Sequence, residues 1–273
     1  MRKRRSSSLR GLKVTVLGRG GAGSAFAAAL SARGVRVRSW SRSGSTSLAS
    51  ATAGADLVLF CVRDDAIQLV ARRLARAQPS THRNAPVALH LSGYHGLRPL
   101  RALASLGWPT GSIHPLVPLT GRSSAADLEG AWFATSASGR AAIAARRLIA
   151  GLHGRELRIS ASDRRKHAWH LAVALVANGS VALFDAALEH AGSAAAPALA
   201  SVLQKIARRL ADGPRAALTG PVARGEREVV AGHLALLRGR QDEAQLYKLL
   251  SRRLLALSAL APRERRAIAR LLR

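Results

Sequence analysis

The first part of the chain repeats one pattern, in which a short apolar run is followed by a segment of helical periodicity. The apolar runs have the length of strands, and they lie at 12–17, 35–40, 55–62, 86–93, 112–115, 131–137 and 155–160. The run at 55–62 is almost continuously apolar, as a strand buried on both faces should be. Strands that alternate with helices indicate parallel βαβ units, so we predict an α/β fold with a doubly wound parallel sheet.

Helical segments occupy the intervals between these strands. They are predicted at 21–33, 64–77, 97–107 and 139–152. In the segment 64–77 the apolar residues recur every three or four positions, which brings to one face Ile67, Val70, Ala71 and Leu74. That spacing is typical of an amphipathic helix.

The pattern changes after about residue 160, where no further strand is predicted. Helices are expected at 162–191, 195–211, 226–237, 241–257 and 262–272. Ser162 is a suitable N-cap for the first of them, and Gly192 is a suitable C-terminal stop. The sequence thus predicts a disordered basic tail at 1–10, an α/β domain at 11–160 and an all-α C-terminal domain at 161–273.

A glycine-rich turn separates the first predicted strand from the first predicted helix. Its residues are Gly18, Arg19, Gly20, Gly21, Ala22 and Gly23. In this context the G-x-G-x-x-G spacing predicts a Rossmann dinucleotide site, because Gly20 lets a pyrophosphate approach the backbone and the helix N-terminus attracts an anion. An ordinary glycine-rich turn is the alternative.

The end of the second predicted strand indicates which dinucleotide binds. An NAD site has an acidic residue there, which holds the ribose hydroxyl, whereas this chain has Ser41, Arg42 and Ser43. Arginine between two serines can bind a 2′-phosphate through charge-assisted hydrogen bonds, so we predict NADP(H). Arg19 is a second cation within reach, and the alternative is that Arg42 is merely solvated.

Polar residues follow three further strands, where open α/β sheets bind their ligands. Val62 and Arg63 follow the third strand and are assigned to the cofactor site. Ser92 and Gly93 end the fourth run, with a hydroxyl and a bare backbone near the expected nicotinamide. His114 precedes a proline, so its backbone is extended, and it can donate a proton to a carbonyl. The alternative for each is a cap or a solvated turn residue.

The helical part contributes further candidates. His170 and Asn178 lie eight positions apart and share a helix face. Asn178 stands in an apolar segment and needs a partner, which is a substrate carbonyl, the nicotinamide amide or a neighbouring backbone group. A turn that begins at Thr219 brings Arg224 to the start of a helix, where it can hold a substrate carboxylate. A structural asparagine and a solvated arginine remain the alternatives.

The composition adds a strong positive charge, with 43 Lys and Arg against 15 Asp and Glu and a net charge of +28. Either a polyanion binds this surface, or the charge is compositional. Aromatic residues make up 4% and no nucleic-acid-binding module is evident, so we expect no specific nucleic-acid partner. Cys61 is the one cysteine, which fits a reducing, cytoplasmic compartment. The apolar run 170–188 contains Asn178 and Asp185, so we expect a buried helix rather than a membrane span.

Several motifs together resemble one family. They are GRGGAG, CVRDDAI, HLSGYHG, SIHPLVPL, WHLAVALVAN and ALTGPVARGEREVVAGHLALL, and they extend from about residue 12 to 237. The last two are the more specific. On these motifs the chain resembles Rossmann-like proteins with a C-terminal DUF2520 domain, relatives of the 6-phosphogluconate dehydrogenase and ketopantoate reductase superfamily.

The resemblance implies an NADP-binding domain, a helical domain for substrate binding and dimerisation, and an active site in the cleft between them. It also implies a homodimer that forms through the helices. By similarity the residues that face the cleft are Ser92, Gly93, His114, His170, Asn178, Thr219 and Arg224. Hydroxyacid dehydrogenases of the superfamily have a lysine four residues before the helical asparagine, but here that position is Ala174.

These features lead to one functional prediction and two alternatives. We predict an NADPH-dependent oxidoreductase that reduces a small keto acid, similar to ketopantoate, or an imino acid. His170 or His114 supplies the proton, Asn178 and Ser92 position the reacting group, and Arg224 holds a carboxylate. No metal is expected. Because of Ala174, a non-catalytic NADP(H)-binding or sensing protein is the first alternative, and a polyanion-binding protein is the second.

Overall fold

A computed structural model gives the structure of residues 9–77 and 85–273, and the fold is described for these residues. Most of the predicted basic tail at 1–10 lies outside them. The chain divides into two compact units, Met1–Asn178 and Gly179–Arg273. The division falls inside one long helix, whereas the last strand ends at Arg158.

The N-terminal unit contains a seven-stranded sheet in the order β2-β1-β3-β4-β5-β6-β7. Its strands are β1 (Lys13–Leu17), β2 (Arg36–Trp40), β3 (Leu57–Phe60), β4 (Val87–His90), β5 (Thr110–Pro115), β6 (Trp132–Ala137) and β7 (Arg155–Arg158). β1 pairs with both β2 and β3, so the strand order reverses there. In open α/β sheets a ligand binds at such a reversal, beyond the carboxyl ends of the strands.

Helices connect the strands of this unit and cover the sheet. They are α1 (Gly21–Ser31), α2 (Leu48–Thr52), α3 (Asp64–Arg76), α4 (Arg101–Ala104) and α5 (Gly139–Gly151), and α6 (Asp163–Ala191) leads into the second unit. The predicted face of α3 is confirmed, because the buried residues of this helix are Ile67, Val70, Ala71 and Leu74. The doubly wound sheet with helical flanks is therefore present as predicted.

Two strands, β6 and β7, depart from the predicted parallel arrangement, because both run against the direction of β1–β5. β6 runs antiparallel to β5, whereas β7 is parallel to β6. The segment between β5 and β6 contains only a short 3₁₀ turn, Ala125–Leu128. A parallel return commonly uses a crossover helix, and the 16 residues between Pro115 and Trp132 contain no helix longer than this turn.

The C-terminal unit is helical throughout its described length. After α6 come α7 (Ala196–Leu210), α8 (Pro214–Ala217), α9 (Pro221–Arg224), α10 (Arg227–Leu236), α11 (Gln241–Leu257) and α12 (Pro262–Leu271). Its buried core contains Val222, Val230, Leu255, Ile268 and Leu272. The prediction of an all-α C-terminal region is confirmed, and only the short helices α8 and α9 were not predicted.

The expectation that α6 is a buried helix is wrong for the single chain. Leu175 is 68% exposed and Val181 is 72% exposed, and the one residue of this helix that is buried is Lys166. By length and composition α6 is also long and apolar enough to cross a membrane. The sequence pattern predicted the helix correctly, but too few apolar surfaces are available within one chain to cover it.

Candidate functional site

The first glycine of the turn after β1 cannot be replaced by a residue that has a side chain. Gly18 has a φ of +116°, which side-chain-bearing residues rarely adopt, and a Cβ at this position would collide with the carbonyl of Cys61 after β3. Its amide also donates to the Trp40 carbonyl at 2.8 Å. The turn is thus held between the ends of β2 and β3, at the reversal of strand order.

The other glycines divide into those that permit close packing and one that leaves space. A Cβ on Gly21 would collide with the Thr120 carbonyl, and one on Gly23 would collide with the Gly18 carbonyl. Gly20 has nothing within 4 Å of its Cβ position and caps α1 without a side-chain hydrogen bond. The N-terminus of α1 is therefore uncovered at Gly20, and these residues fit a dinucleotide phosphate.

The predicted 2′-phosphate residues form a turn after β2. Leu17 of β1 is paired with Trp40 of β2, so this turn begins beside the glycine turn. Ser41 accepts a hydrogen bond from the Gly44 amide at 3.1 Å, and Arg42 and Ser43 are exposed. Arg42 has no ion pair among the described residues.

Four further cofactor candidates lie in the glycine turn or after β3. Arg19 is exposed within it, and Ala22 is half-buried in the first turn of α1. After β3, Val62 is half-buried and packs against the apolar cluster of the sheet. Arg63 is exposed and pairs with Asp65 at 3.0 Å, so its charge is already partly compensated.

Ser92 uses its hydroxyl entirely within the chain. The Oγ atom donates to Asp64 Oδ2 at 2.7 Å and accepts from the amides of Tyr94 and His95 at 3.1 and 3.0 Å. A hydroxyl has one proton and two lone pairs, so no hydrogen-bonding position is left for a substrate. In this structure the Ser92 hydroxyl fixes the turn after β4, and its catalytic role stays a prediction.

His114, at the end of β5, is held against the turn that contains Gly93. Its Nδ1 atom lies 3.0 Å from the Leu91 carbonyl oxygen, and a Cβ on Gly93 would stand 2.8 Å from its Nε2 atom. Burial lowers the pKa of His114, the hydrogen bond to Leu91 opposes that shift, and the nearby charge of Lys166 adds to it. The imidazole is therefore neutral at physiological pH.

Lys166 is the residue that the sequence analysis did not select. It lies in the first turns of α6 and is completely buried. Its Nζ atom donates to the Ser92 carbonyl at 3.0 Å and to Ser112 Oγ at 3.1 Å. Burial lowers its pKa to about 8, although the charge of Asp64 opposes the shift. A buried amine that titrates near neutral pH is typical of functional sites.

A group of aromatic rings adjoins the same turn. The ring of Tyr94 stacks on His167 with centroids 3.9 Å apart, and it meets His95 and His170 edge-on at 5.2 and 5.8 Å. The charge of His170 also lowers the pKa of His114. Of the predicted catalytic residues, the structure thus brings together Ser92, His114 and His170.

Asn178 and the two candidates of the C-terminal unit have other surroundings. Asn178 is exposed on α6 and has no hydrogen bond from its side chain among the described residues, so its apolar neighbours along the sequence did not bury it. Thr219 is exposed before α9. Arg224 ends α9 rather than starting a helix, and it pairs with Glu226 through two hydrogen bonds of 2.6 and 3.1 Å. A substrate carboxylate would have to compete with Glu226.

Metal chemistry finds no support in the part of the chain that the structure describes. In residues 9–77 and 85–273 no three His, Cys, Asp or Glu side chains are grouped so as to hold an ion. His90 is buried near the site, its Nε2 atom donates to the Gly96 carbonyl at 2.9 Å, and burial lowers its pKa to about 3. His90 therefore remains neutral and structural.

The curated relative that matches covers only part of the chain. A glycerol-3-phosphate dehydrogenase (NAD(P)+) of Nostoc sp. is 31% identical over 110 residues, which is 40% of this chain and 34% of that protein. The chain thus spans about a third of the length of this relative.

Several solved structures share the fold over most of the chain. A Bacteroides fragilis protein, provisionally assigned as an NADP oxidoreductase, has a TM-score of 0.70 at 20% identity and covers 90% of this chain and 99% of its own. A Plasmodium falciparum pyrroline carboxylate reductase with NADP bound has a TM-score of 0.60 at 12% identity and covers 92% of this chain and 99% of its own. An Aspergillus terreus reductive aminase in complex with NADPH and ethyl levulinate has a TM-score of 0.58 at 20% identity and covers 88% of this chain and 93% of its own. These likenesses establish the Rossmann-like fold.

The family match covers the last strands and most of the helical part. The model described as a domain of unknown function, DUF2520, matches residues 131–254. This range includes the buried Lys166 and the predicted residues His170, Asn178, Thr219 and Arg224. Together with the fold, it confirms the resemblance drawn from the motifs: residues 131–254 match the DUF2520 model, and the chain has a Rossmann-like fold.

Proposed function

We propose that this protein is an NADPH-dependent oxidoreductase that reduces the C=O or C=N bond of a small carboxylic acid. One observation carries the proposal: the uncovered N-terminus of α1 at Gly20 lies where the strand order reverses. Solved structures of similar fold, a reductive aminase and a pyrroline carboxylate reductase, hold NADPH or NADP. The substrate class extends from keto acids similar to ketopantoate to imino acids.

The chain has residues suited to both ends of the cofactor. Gly18, Gly20 and the free amides of α1 would hold the pyrophosphate. Arg42, with Ser41 and Ser43, would hold the 2′-phosphate. When bound, NADPH supplies a hydride, and the protein's part is to bind, orient and exclude water.

Protein side chains of the N-terminal unit would act on the reacting group. His114 presents its imidazole at the end of β5. Lys166 fixes the turn of Ser92 and Gly93 through the hydrogen bond that its Nζ atom donates to the Ser92 carbonyl. His170 and Asn178, on the exposed side of α6, remain candidates for substrate contact. Arg224 and Thr219 remain candidates for the substrate carboxylate.

The choice of cofactor can be tested at Arg42. We expect Arg42→Glu to weaken NADPH binding by about 10- to 100-fold and to leave NADH binding unchanged or improved, because a carboxylate repels the 2′-phosphate. Isothermal titration with both cofactors measures this. Arg36→Glu, at the other end of β2, makes the same change of charge and should not affect either cofactor. A wild-type protein that binds neither NADPH nor NADP would contradict the proposed function.

Turnover separates the enzyme from a cofactor sensor. NADPH oxidation, followed by absorbance against a panel of keto and imino acids, should show at least one substrate. Tight NADPH binding without turnover of any of them would instead favour the sensing alternative.

We also propose a homodimer in which the second copy covers α6. Leu171 and Leu175 of this helix are 60% and 68% exposed, and α7 buries none of its residues. Apolar surface of this extent is unusual on a monomer. Light scattering without detergent should give about twice the chain mass of 28.8 kDa. Leu175→Asp should reduce it to the monomer mass, whereas Leu69→Asp on α3 should not; a wild-type monomer would refute the dimer.

A further inference from the structure

The orientation of the His114 ring determines which of its nitrogen atoms carries the proton. Nδ1 lies 3.0 Å from the Leu91 carbonyl oxygen. A carbonyl oxygen only accepts hydrogen bonds, so Nδ1 must be the donor. In a neutral imidazole the other nitrogen is then an acceptor, and Nε2 presents a lone pair.

The surroundings of His114 keep the ring neutral. Burial is the largest cause that lowers its pKa, and the charges of Lys166 and His170 on α6 lower it further. The Leu91 hydrogen bond and the charge of Asp64 on α3 act in the opposite direction without reversing the shift. At neutral pH His114 therefore has no proton to donate at Nε2.

The Nε2 atom of His114 has no hydrogen-bond partner within the described part of the chain. The ring is half-buried rather than enclosed. A Cβ on Gly93 would lie 2.8 Å from Nε2, 2.9 Å from Cδ2 and 3.0 Å from Cε1. These nearly equal distances place the Cβ over the face of the ring, so the glycine lets the turn pack closely on that face, while the Nε2 lone pair points away from it within the ring plane.

We propose that Nε2 of His114 accepts a hydrogen bond from the reacting group, so that the site takes a protonated imine rather than a ketone. This rests on the proposed function, and it narrows the substrate class of the same site. The sequence predicts His114 as a proton donor to a carbonyl, and the hydrogen bond from Nδ1 to the Leu91 carbonyl reverses that role.

The reduction of an imine and the reduction of a ketone have different requirements for protons. In an iminium ion the carbon accepts the hydride of NADPH, the C=N electron pair moves to nitrogen, and the products are NADP+ and a neutral amine that keeps its N–H. No proton from the protein is needed, and an acceptor holds the N–H in place. In a ketone the hydride leaves an alkoxide, which needs a donor that neutral His114 lacks.

The tautomer can be measured without turnover. Selective ¹⁵N labelling of histidine and long-range proton–nitrogen spectra identify which nitrogen of His114 is protonated. We expect a protonated Nδ1 and a bare Nε2 at pH 7, with a pKa below the ordinary value of about 6.5. A protonated Nε2, or a cationic ring at pH 7, would overturn the inference whether or not the protein turns over any substrate.

Kinetics test the substrate preference directly. Cyclic imines with five- and six-membered rings, each with and without an α-carboxylate, are compared with the ketones of the same ring size. We expect kcat/KM for imines to exceed that for ketones by at least about 100-fold. The imine rate should fall at acid pH, where His114 becomes protonated, and again at high pH, where the imine substrate loses its own proton. Equal rates, or faster ketones, would contradict the inference but leave NADPH binding and the proposed function standing.

Two variants distinguish the acceptor from the fold. His114→Asn keeps an amide N–H that can reach the Leu91 carbonyl but lacks the Nε2 acceptor, and Gly93→Ala displaces the His114 ring because its methyl group would collide with the ring face. Each should lower imine kcat/KM by about 10- to 100-fold with NADPH affinity unchanged. His190→Asn in the C-terminal unit is the matched control and should retain full activity. Unchanged imine kinetics in His114→Asn would refute the role of Nε2.

Discussion

Replacing Gly20 by alanine should weaken NADPH binding by about 100-fold or more while the protein keeps its fold. The Cβ position of Gly20 is free of contacts, and the residue has a φ of −72° and a ψ of −176°, which alanine adopts without strain. The methyl group therefore costs little in the free protein, but it occupies the space through which a pyrophosphate would reach the amides of α1. Titration calorimetry and thermal melting measure the two effects separately.

The neighbouring glycines provide the opposite comparison. A Cβ at Gly18 or Gly21 would collide with backbone carbonyls, those of Cys61 and Thr120, which cannot rotate away. Gly18→Ala and Gly21→Ala should therefore lose several kcal/mol of stability, as overpacked or strained sites do. Gly232→Ala, in α10 and free of contacts, should melt slightly higher and bind NADPH normally. If Gly20→Ala binds NADPH as tightly as the wild type, the cofactor is not held at this turn.

The elements that were predicted correctly depend on local patterns. The face of α3 follows from the spacing of Ile67, Val70, Ala71 and Leu74, and the buried strands follow from apolar runs. Strands β3 and β4 are shorter than predicted because Cys61, Val62 and the residues after His90 leave the sheet. Those extra residues form the loops in which the candidate site lies.

The features that were not predicted depend on contacts between distant parts of the chain. Lys166 is 74 residues from Ser92, and no spacing along α6 indicates that the two meet. One signal was available: the sequence has only five lysines among 43 cations, and the buried one is a lysine. Lysine can lose its proton when buried, whereas arginine cannot. The direction of β6 and the exposure of α6 likewise depend on tertiary packing.

Lys166 affects both the stability and the proposed function of the protein, and we expect Lys166→Met to change both. A fall in its pKa from 10.5 to about 8 corresponds to about 3 kcal/mol by which folding disfavours the charged amine. Loss of its two hydrogen bonds costs about 1 kcal/mol each, so a net gain of about 1 kcal/mol is expected at pH 7. For a chain of this size that is a rise of about 2–4 °C in Tm.

The gain should depend on pH with a definite sign. Between pH 8 and pH 10.5 the unfolded wild type binds more protons at Lys166 than the folded protein does, so wild-type stability rises across this window. The methionine variant lacks this contribution. The difference in unfolding free energy between the two should therefore be largest below pH 8 and shrink as the pH approaches 10.5. Urea unfolding of both proteins at several pH values between 8 and 10.5 tests it, since groups that titrate alike in the two proteins cancel in the difference.

The same variant should be a poorer enzyme. Without Lys166 the Ser92 carbonyl loses its anchor, and the pKa of His114 should rise because a nearby positive charge is gone. We expect kcat for imine reduction to fall by about 10-fold or more, with NADPH affinity retained. Lys166→Arg keeps the positive charge. The larger arginine side chain does not fit the fully buried space and cannot lose its proton, so this variant should be less stable than the wild type. If Lys166→Met leaves both kcat and the His114 titration unchanged, the buried lysine only fills space. If the variant is more stable but turns over more slowly, the lysine charge is kept for its effect on the site.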